Sequence, residues 1–204
     1  LELSLKTISG REFLQSSIEI INKDAILLAN RSTYKKNYFI GVKNNKNIER
    51  YFIKKLCNEE EFIWHTIDSG SDRGRALDVK LKNPITGNLM TGSSSGTAIN
   101  VLYGINDLGI GSDGGGSIIY PAMSLNLYSL MGKGMGLYGK YSKESTDGIN
   151  FIPGIGFISH KFEIIEKAIK KLGYDLDSKS DINIRIATLN INQIENKELL
   201  KKIK

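Results

Sequence analysis

Nine of the chain's 21 glycines fall between Asn83 and Ala122, at positions 87, 92, 96, 104, 109, 111, 114, 115 and 116. Glycine loses more conformational freedom on folding than any other residue. Such density therefore marks backbone that turns tightly or lies close against another group. Two serine-bearing loops stand in this span. One is Thr91-Gly92-Ser93-Ser94-Ser95-Gly96-Thr97, and the other is Gly111-Ser112-Asp113-Gly114-Gly115-Gly116-Ser117-Ile118-Ile119-Tyr120-Pro121-Ala122. Between them, residues 98–103 suit a helix, and residues 108–111 a short strand that leads into the second loop.

The flanking segments have simpler periodicities. Leu14, Ile18, Ile21, Ile26 and Leu27 predict one or two helices over 11–30. The run Tyr38-Phe39-Ile40-Gly41-Val42, ending in Lys43, predicts a buried strand. Ile48, Phe52, Ile53 and Leu56 have helical spacing, and residues 62–66 suit a second strand. Residues 68–75 read as a polar loop. Phe162, Ile165, Ile169 and Leu172 predict an amphipathic helix over 159–172, with Ser159 as its cap and Gly173 as its stop. Alternating isoleucines predict a strand over 182–189, and a last helix is expected over 195–204. There is no internal repeat and no long linker. The expected architecture is one α/β domain over 1–204, a mixed β-sheet flanked by helices.

Composition narrows the chemistry. The single cysteine, Cys57, excludes an intramolecular disulfide and speaks against a cysteine metal site. Two histidines, His65 and His160, leave little room for a histidine metal centre or a Ser–His–Asp hydrolase. No metal or cofactor is expected. Net charge is +6, from 28 basic and 22 acidic residues, but the lysines are interleaved with acids and not with aromatics. That pattern fits a solvated surface better than a nucleic-acid site. No apolar run approaches the roughly 18–20 residues that span a bilayer, so a cytoplasmic, membrane-free protein is expected.

Residue by residue, several functions stay open. Ser93, Ser94 and Ser95 suit a polar turn as well as a nucleophile site, and Lys43 could be a surface lysine, with Lys46 or Lys80 as alternative bases. Asp113 suits a turn-forming Asx residue. His160 reads as a surface residue, and Cys57 and Trp64 as packing. Gly109-Ile-Gly111-Ser-Asp-Gly114 fits a dinucleotide fingerprint. Pro121 and the extra glycines oppose the helix such a fingerprint needs.

The two loops together resemble the amidase signature family, whose Gly-Gly-Ser-Ser-Gly-Gly loop precedes a Gly-Thr/Ser-Asp-x-Gly-Gly-Ser-Ile-Arg-x-Pro-Ala segment. Both align without a gap, Ser93 on the first motif serine and Ser117 on the second. Gly41-Val42-Lys43-Asn44-Asn45 resembles the family's Val-Lys-Asp-Asn segment. Residues 57–62 resemble its Thr-Asn-x-x-Glu-Phe segment, Asn83-Pro84 its Asn-Pro, and Gly156-Phe157-Ile158-Ser159 its lead into a helix. The resemblance covers about residues 38–190. It implies hydrolysis of a carboxamide C–N bond through an acyl-Ser117 intermediate, with a Ser-Ser-Lys triad of Ser117, Ser93 and Lys43. It also implies a cis peptide at Gly92–Ser93. A serine hydroxyl needs a base to become a nucleophile, and a lysine is a base only when burial drives its amine neutral. Lys43, ending an apolar run, suits that. Successive N–H groups of Gly114, Gly115 and Gly116 could converge into an oxyanion hole. Ser94 and Asp113 are supporting candidates.

Three departures from the family pattern stand out. Ile119 replaces the arginine, Asn44 replaces the aspartate after the lysine, and Ser95 replaces a loop glycine. Family members are also roughly twice this length, which predicts an abbreviated or truncated member, or one completed by a partner subunit or by self-association. The expected partner is a small-molecule amide. The alternative is a non-catalytic or partner-dependent subunit, for example of a glutamine-dependent tRNA amidotransferase.

Overall fold

Apolar runs without alternation, such as Tyr38–Val42 and Ile155–Ile158, build strands buried on both faces, the pattern of a sheet covered by helices on each side. The computed structural model describes residues 2–13, 16–145 and 148–174. In chain order the elements are α1 (Glu2–Phe13), β1 (Ile18–Ile21), α2 (Ala25–Arg31), β2 (Tyr38–Lys43), α3 (Arg50–Leu56) and β3 (Phe62–Asp68). There follow β4 (Leu77–Lys82), β5 (Leu89–Thr91), α4 (Ser95–Leu102), β6 (Leu108–Asp113), α5 (Ile119–Ser124) and β7 (Tyr128–Met131). The last are β8 (Lys143–Glu144), β9 (Asn150–Phe151), β10 (Gly154–Ser159) and α6 (Phe162–Lys171).

Six strands form one mixed sheet in the order β1-β3-β2-β6-β10-β7. β3, β2 and β6 are parallel at its centre, while β1 and β10 pair antiparallel with their neighbours, as does β7 with β10. On one face α3 and α6 cover Ile40, Val42, Leu108, Ile110 and Phe157. On the other, α4 and α5 pack with Ile158, and α2 packs with Phe39 and Ile63. β4–β5 and β8–β9 are separate hairpins.

Glycines set how closely α4 lies on the sheet. A Cβ at Gly109 would stand 2.5 Å from Thr97 Cγ2, and one at Gly111 2.6 Å from Ser94 Oγ. Both distances are well inside contact, so only glycine lets the serine loop press against β6.

Three expectations change. Of the one or two helices expected over 11–30, one forms as α2, while strand β1 takes the stretch between it and α1. Its Ile-Glu-Ile-Ile run pairs with β3, Ile21 opposite Thr66, and β-branched pairing overrides the loose helical spacing. Phe162, expected inward, is 41% exposed, and the buried face of α6 is Ile164, Ile165, Ala168 and Ile169. Ser159 ends β10 and does not cap α6, whose N-cap is Lys161. Its hydroxyl donates to Asp107 O (2.7 Å) and accepts the Lys161 N–H. Gly173 does stop the helix, at φ +91°. The strand over 182–189 and the helix over 195–204 lie outside the described residues.

Candidate active site

Three parallel strands end at the same edge of the sheet, and each delivers a polar residue there: Lys43 from β2, Asp68 from β3 and Asp113 from β6. The carboxyl ends of parallel strands are where α/β folds form their ligand crevices. The Ser93–Ser95 loop enters α4 directly beside them.

Lys43 is 5% exposed, and its Nζ donates to Ser93 Oγ at 2.5 Å. Burial pushes the amine down to about 7 from its usual 10.5. The nearby charge of Lys143 lowers it further, and Asp113 opposes both. The peptide bond Gly92–Ser93 is cis. Gly92 N donates to Ala76 O (2.6 Å), and Ser93 O accepts from Ser71 N (3.1 Å). Gly70 closes the other side, where a Cβ would stand 2.9 Å from Lys43 Cε.

Ser117 is half-buried at the start of the second loop's helix. Its carbonyl accepts the Ser94 N–H at 3.2 Å, which ties the two serine loops together. Its hydroxyl makes no hydrogen bond among the described residues, so the nucleophile candidate is near Ser93 through the backbone but not bonded to it. Ser94 contributes this amide. Its buried hydroxyl has no partner among the described residues.

The glycine turn differs from what the sequence suggests. Asp113 Oδ1 accepts the N–H of Gly115 (2.9 Å) and of Gly116 (2.5 Å), and Oδ2 accepts that of Ile118 (2.7 Å). Two of the three amides expected to converge on a substrate oxygen are thus aimed at a carboxylate. Asp113 acts as the Asx residue that shapes the turn. The N–H groups of Gly114 and Ser117 make no hydrogen bond among the described residues. Gly116, at φ +102°, needs to be glycine.

Sequence reasoning missed Asp68. It is fully buried, with Thr66 Oγ1 (2.6 Å) and Asn100 Nδ2 (2.7 Å) donating to Oδ1. Burial raises its pKa to about 6. In the sequence it opens a polar loop, and no local pattern distinguishes a strand-ending aspartate from a loop one. Lys46 and Lys80 do not substitute for Lys43: both are exposed. Among the described residues no cluster of His, Cys, Asp and Glu could hold a metal ion, and no helix is long and apolar enough to cross a membrane. A groove of about 770 Å³ between α1 and β1 is lined by none of Lys43, Ser93 and Ser117, and it stands apart from this chemistry.

No protein-family model matches the sequence, and no curated protein does. Solved structures do match. A 6-aminohexanoate cyclic dimer hydrolase superposes with a TM-score of 0.62 at 12% identity, over 94% of this chain and 46% of its own. An amidase family protein from Bacillus anthracis str. Ames gives 0.57 at 20% identity, over 85% and 43%. A glutamyl-tRNA(Gln) amidotransferase subunit from Thermotoga maritima gives 0.56 at 16%, over 90% and 46%. The chain has the amidase-signature fold. It spans less than half the length of these neighbours.

Within that fold the departures from the family pattern find local partners. The Ser95 hydroxyl donates to buried Asp78 Oδ2 (2.5 Å), so a side chain where the amidase-signature loop has glycine is accommodated. Asn44 Nδ2 donates to Glu19 Oε2 (2.5 Å), and Asn45 Nδ2 to Ser112 Oγ (2.9 Å), which binds the Lys43 loop to β6. Ile119 opens α5 and is half-buried. Two matched segments lie away from the chemistry. Residues 57–62 lead into β3 beside Tyr38, at the other end of β2 from Lys43. Asn83 closes the β4–β5 hairpin, its Oδ1 accepting the Ile85 N–H (2.8 Å).

Proposed function

We propose that this chain is the catalytic core of an amidase in which Ser117 attacks a carboxamide carbon. The observation that carries the reading is the buried Lys43 amine hydrogen-bonded to Ser93, whose neighbour Ser94 holds the Ser117 carbonyl. Near pH 7 a large fraction of that amine is neutral and can accept a proton from Ser93 as Ser93 takes one from Ser117. Ser117 Oγ then bonds to the carbonyl carbon, and the oxygen becomes an oxyanion. The unoccupied N–H groups of Gly114 and Ser117 supply its donors in this reading, each worth about 3–4 kcal/mol of transition-state stabilisation. Collapse breaks the C–N bond, the departing amine takes the proton back through Ser93, and acyl-Ser117 remains. Water, deprotonated by the same relay, releases the acid and regenerates the serine. Small-molecule amides are the substrate class, and no cofactor enters any step.

A partner-dependent subunit is the second reading. The engagement of Gly115 and Gly116 by Asp113 favours it, because a partner could complete the acyl side of the site. Intact mass after incubation with a fluorophosphonate separates the two. A single adduct on the folded chain, lost in Ser117→Ala and strongly slowed in Lys43→Ala, supports an autonomous amidase. No adduct on the folded wild type would sink it.

A further inference from the structure

Residues 138–145 and 148–151 belong to none of the motifs above, yet they form an arm beside the site. Its stalk is tied to the Lys43 loop through buried Asn47, whose Oδ1 accepts the Tyr141 N–H (2.8 Å) and whose carbonyl accepts that of Lys140 (3.1 Å). Asn47 is itself held by Asn45, whose Oδ1 takes its N–H at 2.8 Å. The hairpin β8–β9 on this stalk delivers two side chains. Phe151 lies against the glycine turn, so close that a Cβ on Gly114 would overlap its ring. Lys143 lines a cleft of about 490 Å³ that has Lys43 in its wall.

The charges of that cleft are unbalanced. Lys46, Arg73 and Lys143 line it, against one carboxylate, Glu19, which already accepts from Asn44. Asp72 stands beside Arg73, 4.0 Å from its Nε, Glu144 follows Lys143 in β8, and the charge of Asp113 acts on Lys43. Arg73 is presented from φ +52°, a left-handed conformation that a non-glycine residue adopts at some cost. Lys43 adds no fixed charge when it is neutral. Lys43, bonded to Ser93, joins this cleft to the serine loops, so a substrate group that extends past that pair meets its cationic wall.

We propose that this cleft selects amides that carry a carboxylate, held by Lys143 of the arm and Arg73 of the facing turn. The proposal rests on the amidase reading for its chemistry, in which a carboxylate-bearing amide and water give a dicarboxylate and ammonium. Glutaramate and pentanamide, which match in chain length and differ in the terminal carboxylate, are the probes.

Calorimetric titration of Ser117→Ala should show glutaramate binding about tenfold or more tighter than pentanamide at low ionic strength, and the preference should collapse in about 1 M salt. Adding Arg73→Ala or Lys143→Ala should reduce it several-fold. Equal affinity, binding of neither, or a preference that survives both substitutions overturns the proposal. Turnover by the wild type tests the other premise separately. A charge-dependent preference in binding, with no hydrolysis of either amide and no labelling of Ser117, would leave the cleft as proposed and remove the amidase reading.

Discussion

Lys43 sits at the end of an apolar strand, where the local surroundings decide its protonation. With its pKa pushed down to about 7, the fraction of neutral amine rises as pH passes through that value. Labelling of Ser117 should climb through about pH 7 and level off above it. Lys143→Ala removes a like charge, which lets the Lys43 pKa rise and moves the limb to higher pH; Asp113 pulls the same way. An unchanged limb in Lys143→Ala would mean that the arm's lysine does not act on Lys43. Lys43→Ala should slow labelling by about 10²–10⁴-fold, the range for loss of a positioned proton acceptor. In the sequence these residues were singled out by the resemblance to the amidase-signature motifs, since taken one by one Lys43 suited a surface lysine and the serines a polar turn. Asp113 was named too, but its carboxylate's choice of Gly115 and Gly116 depends on the turn's three-dimensional path.

At the scale of elements, the approach of α4 to β6 decides where the serine loop lies. Gly109→Ala and Gly111→Ala place a methyl against Thr97 and against Ser94 and Ile118, inside contact distance. Each should lower the urea midpoint by the equivalent of about 1–3 kcal/mol, as overpacking does. Gly111→Ala should also slow Ser117 labelling, because the atoms it displaces adjoin both serines. Gly115→Ala meets nothing within 4 Å, and stability should stay within about 0.5 kcal/mol of wild type. Equal losses at Gly111 and Gly115 would contradict this account. β2, α3, α4 and β6 were readable from apolar runs and spacing. β4 was not, since its pattern is inverted: Leu77 and Val79 are exposed while Asp78 is buried. Asp78 turns inward because its Oδ1 accepts the N–H groups of Lys80 (2.9 Å) and Leu81 (3.3 Å) and its Oδ2 the Ser95 hydroxyl.

Across the whole molecule a buried polar chain joins elements distant in sequence. Asp68 receives Thr66 and Asn100; Asn100 Oδ1 accepts the Ser17 hydroxyl (2.6 Å). Asn106 Nδ2 donates to Thr66 Oγ1 (2.7 Å), and its Oδ1 meets His65 Nδ1 (3.1 Å). His65 Nε2 reaches the Thr7 hydroxyl of α1 at 3.1 Å. One acid in this chain makes stability depend on pH. Asp68 has a pKa raised from 3.8 to about 6, so the folded state binds more protons than the unfolded state between those values. Its contribution is fully present below the unfolded value and is lost as pH rises through about 6. The loss is on the order of 3 kcal/mol. Urea midpoints from pH 4 to 8 should fall less steeply in Asp68→Asn than in wild type. Parallel curves would show that Asp68 is not held protonated.

By itself the sequence determined the α/β class, the tight serine loops and the lysine poised at a strand's end. These follow from short-range causes: β-branched runs favour strands, and consecutive glycines permit tight turns. Only the tertiary structure decided that β1 is a strand, that Asp113 engages the glycine amides, that Asp68 lies buried under the site and that Lys143 is brought to Lys43. Asp113 has its partners within five residues, in a turn of the kind an Asx residue suits. The others depend on a partner far along the chain, such as β3 for β1 or the Asn47 tether for the arm. Polar pairs of that kind leave no periodicity, because their energy comes from satisfying a buried group wherever the fold happens to bring a donor.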